Sequence, residues 1–173
     1  MYKTRLIVRL LSARDEWELL INHVGLKRSS IGGVSGAWSV KNIIAHVMAH
    51  EHYLADRLAE IARGEAFIPC QTQETLNEFI EEYGYPDFES PLMSADAANE
   101  WVYQKYKNIE IKELIADELQ AFDAILSQIR SLSEDQLNQP GVVRKIKSAT
   151  LDHYRHHGAD IRNRFKHSIL RAD

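Results

Sequence analysis
A single cysteine, Cys70, stands among 173 residues. That excludes an internal disulfide and fits a reducing cytoplasm, the compartment expected for this chain. No neighbour lowers the pKa of this thiol, so it reads as incidental rather than catalytic. Alternating strand patterns are nearly absent, which points to an all-α fold. There is no Gly-rich phosphate loop, no nucleophile elbow and no His-Glu-x-x-His run, so the commonest signatures of nucleotide, serine-hydrolase and zinc-protease chemistry are missing. No segment approaches a transmembrane span, and Arg5, Arg9 and Arg14 interrupt what would be the apolar stretch of a signal peptide. The net charge of −4 argues against a broad nucleic-acid surface. The basic last third (Arg144, Lys145, Lys147, Arg155, Arg162, Arg164, Lys166, Arg171) reads as helix C-terminal charge and a solvated face. Neither nucleic acid nor membrane is expected as a partner.

What is present is helical periodicity. At this length residues 1–173 make one domain with a sizeable core. Leu6, Leu10, Ala13, Trp17, Leu20 and Val24 step by four and three, the seam of a packed helix. Gly32, Gly33 and Gly36 mark a turn, after which Ser39 is a good N-cap, with Trp38 and Ile43 at the spacing of a hydrophobic staple. The second stripe is Val40, Ile43, Val47, His50, Leu54, Leu58 and Ile61, stopping at Gly64. Pro69, Gly84, Pro86 and Pro91 then break the pattern from 65 to about 108, leaving short helices near Thr75–Tyr83 and Ala95–Tyr106. The third stripe runs Ile111, Ile115, Glu118, Phe122, Ile125, Ile129 and Leu132. The fourth, over about Lys145 to Leu170, is Ile146, Thr150, His153, His157, Ile161, Phe165 and Ile169. These predict a four-helix bundle with a long crossover between the second and third long helices.

Imidazoles occupy the middle of two apolar stripes. His46 and His50 are four residues apart, as are His153 and His157, so each pair shares one helix face. Packed side by side, the two helices bring three or four imidazoles together, a donor set that suits zinc, nickel or iron(II). Hydrogen-bonded core histidines would have the same spacing, and the spacing alone leaves both readings open. Asp152 and Asp160 flank the second pair as acceptors that could orient an imidazole. Tyr53, Tyr154 and Trp38 are candidates for a pocket lining, or for bundle core. His52, His156 and His167 fall off the stripes and are expected in solvent, and His23 suits a helix C-terminus.

Trp38-Ser-Val-Lys-Asn-Ile-Ile-Ala-His46 resembles the second-helix signature of the DinB-like (YfiT-like) superfamily. Thr150-x-x-His153-Tyr-x-x-His157 resembles its fourth-helix signature, and Leu114 to Leu137 its third helix and following turn. The resemblance implies an up-down-down-up four-helix bundle, often a homodimer, with a divalent metal on His46, His153 and His157. It implies a metal-dependent thiol S-transferase or hydrolase acting on an electrophilic small molecule, with a low-molecular-weight thiol such as bacillithiol or mycothiol as possible cofactor. The alternative it offers is a metal-free, ClbS/DfsB-like binding or protective protein. His50 stands where the superfamily often has an aromatic residue. It is open as a fourth ligand, a packing residue or a pocket base, and as a base it is the candidate catalytic residue.

Overall fold
A computed structural model describes residues 2–169, with side chains through 166. The side chains of His167 and Ile169, and all of Leu170 and Arg171, lie outside the described residues. Helices α1 (Tyr2–Val24), α2 (Val40–Ala62), α3 (Gln73–Tyr83), α4 (Ala95–Tyr106), α5 (Ile111–Ser131), α6 (Glu134–Leu137), α7 (Val142–Lys147) and α8 (His153–Ile169) follow in order, with a π-helical turn, Ser148–Asp152, between the last two. No strand occurs among the described residues, only an isolated bridge between Ser35 and Trp38. No described helix is long and apolar enough to cross a membrane.

The ends of the helices are set by local chemistry. The Ser39 hydroxyl accepts the Asn42 amide hydrogen, and the Asn42 side chain accepts the Ser39 amide hydrogen, a reciprocal cap that starts α2. Past Ala62, Gly64 takes a left-handed conformation with φ of +77°, which stops the helix where the stripe ends. Thr72 caps α3 by the same reciprocal pair, with Thr75, and the Ser94 hydroxyl accepts the Ala97 amide hydrogen at the start of α4, so the short helices expected in the crossover form where turn chemistry allows.

The long helices touch in a closed ring. Helix α2 packs most extensively on α5, α1 packs on α8 and α5, and α2 meets the π turn and α8. Leu10, Ile43, Ile44, Met48, Ile125 and Ile129 are fully buried between them. Each such side chain stabilises the fold by roughly 1.5–3 kcal/mol relative to exposure. Helix α2 departs from the single stripe expected of it. Ile44, Ala45, His46, Met48, Ala49, Glu51, Tyr53, Ala55 and Arg57 are buried as well as Val40, Ile43, Val47, Leu54 and Leu58 of the stripe. The cause is the crossover, whose helix α4 folds back onto α2. Tyr53, Cys70, Leu76, Phe79 and Tyr85 form a second apolar cluster there. The fourth long helix also differs from expectation. It begins earlier, at Val142, and the π turn interrupts it just before His153.

Candidate metal centre
Helix α2 carries His46 and His50 inward from the capped start at Ser39. Trp38, just before the cap, lies over His46 with ring centroids 5.2 Å apart. Phe88, from the crossover, stacks on His50 at 3.9 Å. On the other wall, His153 and His157 lie on the first two turns of α8. The π turn prepares His153: widening the helix there lets its Nδ1 reach the Ser148 carbonyl oxygen at 2.7 Å. A carbonyl only accepts, so Nδ1 holds the proton and Nε2 keeps a free lone pair.

All four imidazoles converge. Ring centroids are 4.6 Å apart for His46 and His50, 5.0 Å for His46 and His153, 4.7 Å for His50 and His153, and 5.2 Å for His46 and His157. His153 and His157 are 5.8 Å apart. Donor nitrogens of His46, His50 and His153 lie within 4.8 Å of one another. His157 belongs to the ring cluster, but its donors also group with His156 and Asp160. A cleft of about 320 Å³ is bordered by His46, His153 and His157. A separate cavity of about 280 Å³ reaches His50 and His153, so His153 borders both.

Burial keeps these rings neutral. It pushes His46 down to about 3, helped by repulsion from His153 and His157 and opposed by the Asn99 side chain. It pushes His157 down to about 4, with His153 and His156 adding and Asp160 opposing. His50 is lowered strongly by burial and then by the other imidazoles, and His153 is lowered by burial against the pull of the Ser148 carbonyl. Nδ1 of His46 and Nδ1 of His157 are buried without a hydrogen-bond partner. A buried polar atom left so costs about 1–3 kcal/mol. Neutral imidazoles with unsatisfied nitrogens at mutual contact distance are what a borderline transition-metal ion requires, so the donor set fits such an ion.

The flanking residues sort themselves by distance. Asp152 turns to Arg155 at 2.8 Å. Asp160 has a carboxylate oxygen 3.8 Å from Nδ1 of His157, with that oxygen otherwise unpartnered. Tyr53 donates its hydroxyl to Asp87 at 2.9 Å and borders the cavity at His50. His156 is exposed, as expected. His52 pairs with Asp117 at 2.9 Å.

Tyr154 takes no part in a pocket with the histidines. Its hydroxyl donates to Glu51 inside a buried polar knot that the sequence reading missed. Arg14 grips Glu118 through two nitrogens, at 3.0 and 2.8 Å, and Trp17 donates to the same carboxylate at 2.8 Å. Two signals pointed to it: Glu118 sat in an apolar seam, and Arg14 is spaced from Leu10 and Trp17 as a seam residue is.

No family model, curated protein or solved structure matches this chain.

Proposed function
We propose that the histidine cluster holds one divalent transition-metal ion, and that the protein is a DinB-like metal-dependent transferase or hydrolase acting on an electrophilic small molecule. The observation that carries this is four neutral imidazoles facing one another, two buried and two half-buried, the buried pair His46 and His157 each with an unpartnered nitrogen. His46 and His153 belong to both three-membered ligand sets that this reading considers. Donor convergence favours His50 as the third; the family resemblance favours His157, which borders one cleft with the other two. A bound ion of this kind lowers the pKa of a water or thiol and so supplies a nucleophile at neutral pH. The chain's own residues would orient and enclose. Ser148 fixes the tautomer of His153, Trp38 and Phe88 fix the rings of His46 and His50, and Asp160 is placed to accept from His157. With His157 as third ligand, His50 is the imidazole free to move a proton at the cavity.

Elemental analysis of the purified protein is the primary test. About one equivalent of zinc, nickel or iron per chain is expected, lost in His46→Ala and His153→Ala. Turnover with bacillithiol-like and glutathione-like thiols on the same samples tests the chemistry. If metal-free protein reacts as fast as loaded protein, a metal-free ClbS/DfsB-like binding role replaces this reading, and the cavity at His50 is the observation favouring it. The ring of contacts, in which α2 packs on α5 and α1 on α8, supports the up-down-down-up arrangement. Exposed Val8, Leu11 and Leu19 on α1 support a homodimer. Light scattering should then give about twice the 19.9 kDa chain mass, and the chain mass alone would reject the dimer.

A further inference from the structure
The cavity of about 280 Å³ that ends at His50 and His153 carries an unusual charge pattern. Leu54, Phe88 and Ala149 give it apolar wall, and Arg57, Arg144, Lys145 and Glu89 give it charge. Lys145 and Glu89 pair with each other. Arg144, which the sequence had placed on a solvated face, borders the cavity with no partner among the described residues. Arg57 is only 2 % exposed. One of its nitrogens, Nη2, donates to Glu60 at 2.6 Å, while Nε and Nη1 have no partner. Counting Glu60 and Glu89 against Arg57, Arg144 and Lys145 leaves the cavity with a surplus positive charge.

Rings hold Arg57 in place. Its guanidinium carbon is 4.1 Å from the centre of Phe67, 5.0 Å from Tyr53 and 5.2 Å from both Phe79 and Tyr83. Aromatic faces attract the cation but accept little from its in-plane N–H groups. The cage therefore orients a guanidinium without using up its donors. A guanidinium so fixed suits a carboxylate, whose oxygens accept charge-assisted N–H bonds. The volume lies at the small end of ligand pockets, about 300–1,000 Å³, which restricts the guest to a compact molecule.

We propose that this cavity takes a small carboxylate-bearing molecule. Its anionic end rests on Arg57 and Arg144, its apolar body on Leu54, Phe88 and Ala149, and its other end at His50 and His153. This names a substrate class for the proposed site, and only the role of that other end rests on the metal reading.

Benzoate and its neutral analogue benzamide are the probes, titrated into the full-length protein while the amide resonances of Phe88 and Ala149 are followed by NMR. The titrations are made on protein as purified and after chelator treatment, with metal content measured on the same samples. Saturable shifts with benzoate in both states are expected, with benzamide at least about tenfold weaker, as for a lost charge-assisted hydrogen bond. Arg144→Gln, an exposed position with no partner among the described residues, should weaken benzoate about tenfold, and Arg57→Lys, which keeps the charge but loses the fixed guanidinium donors, by as much or more. Equal binding of benzoate and benzamide, no saturable shift, or unchanged affinity in Arg144→Gln overturns the proposal. So does binding that vanishes with chelation, which would assign the carboxylate to the metal. Should Arg57→Lys fail to fold, Arg144→Gln still decides. Absence of metal with benzoate binding intact would defeat the metal reading and leave this one standing.

Discussion
Two polar clusters sit side by side in the helical core, and they are built on opposite principles. The knot takes Arg14 from α1, Glu51 from α2, Glu118 from α5 and Tyr154 from α8, one residue from each long helix. The histidine cluster draws on α2 and α8 alone. The two adjoin in sequence, since Glu51 follows His50 and Tyr154 follows His153. In the knot, the Arg14 charge meets the Glu118 carboxylate and the named donors find acceptors, with Glu51 Oε2 the one knot oxygen left without a hydrogen bond. In the histidine cluster, among the described residues, no carboxylate lies within hydrogen-bonding distance of a ring, and two ring nitrogens are left over. Burying polar groups is costly in both places. The knot recovers the cost by tying four helices together, whereas the histidines recover it only when a ligand arrives. Burial of polar groups alone therefore does not mark a functional site; unpaired nitrogens gathered on facing rings do.

The largest test of this contrast removes one knot partner. Glu118→Ala should cost up to about 3–5 kcal/mol, because Arg14 loses its buried two-point counter-charge, keeping only Glu18 at 2.6 Å, and Trp17 loses its acceptor. His46→Ala, measured in chelator, should cost well under half as much, since it removes a group that was itself unsatisfied. Urea unfolding of both variants is the measurement, and equal losses would abolish the distinction.

Next in size is the effect of metal. At free metal one hundred times the dissociation constant, a ligand specific to the folded state adds about 2.7 kcal/mol. Thermal unfolding with and without chelator should show that increment in the unaltered protein and in Glu118→Gln. His46→Ala and His153→Ala should lack it. His50→Phe and His157→Ala then separate the two ligand sets, since only the true third ligand lowers metal content. An increment that persists in both His46→Ala and His153→Ala would place the metal elsewhere.

The clusters should also answer pH with opposite signs, by about 1.4 kcal/mol per pH unit for each proton involved. His46 and His157 titrate near 3 and 4 in the folded chain, below the usual histidine value of 6.5. Between those limits the unfolded chain binds more protons. Their contribution is thus complete above 6.5 and lost as pH falls toward 4 and then 3. Glu51 is raised well above 4.5 by complete burial and by repulsion from Glu118, against the pull of Arg14, so the folded chain gives up this proton less readily than the unfolded one. Its contribution is present below 4.5 and lost as pH rises through its folded value. Chelated His46→Phe should flatten the acid limb of a stability-versus-pH curve, and Glu51→Gln the opposite limb. If His46→Phe leaves the acid limb as steep as before, the ring is not held neutral by burial.

Much of this was legible in the sequence because it was local. The cap at Ser39, the end at Gly64 and the bounds of α4 and α5 follow from residues within a turn of each boundary. The convergence of the two helices' histidines was suggested by period, with His50, His153 and His157 at positions that should have been apolar and His46 one turn from His50. What escaped was set across the fold. Arg14 is 104 residues from the carboxylate that justifies its burial. The π turn, which lets the His153 ring reach the Ser148 carbonyl, is announced by no helical stripe. The burial of α2 on almost every side required knowing that α4 would return to cover it. Arg57 lies off the apolar stripe of α2, and its burial depends on rings from the crossover, where the pattern was broken.

The smallest expected effect is the one that tests whether burial, rather than histidine itself, defines the site. His52 lies two residues beyond His50 on α2 but faces solvent, where its Nε2 sits 2.9 Å from Asp117 on α5. An exposed pair of this kind contributes about 0.2–1 kcal/mol, reduced further by salt. Its ring is partly hydrated and its nitrogen already has an acceptor, so neither feature that sets the cluster apart is present. His52→Ala should therefore shift unfolding by less than about 1 kcal/mol. It should leave metal content and the chelator-sensitive increment as they are. Loss of metal in His52→Ala would mean that the ion is held at the α2–α5 surface beside Asp117, and that the neutral imidazoles between α2 and α8 are only core.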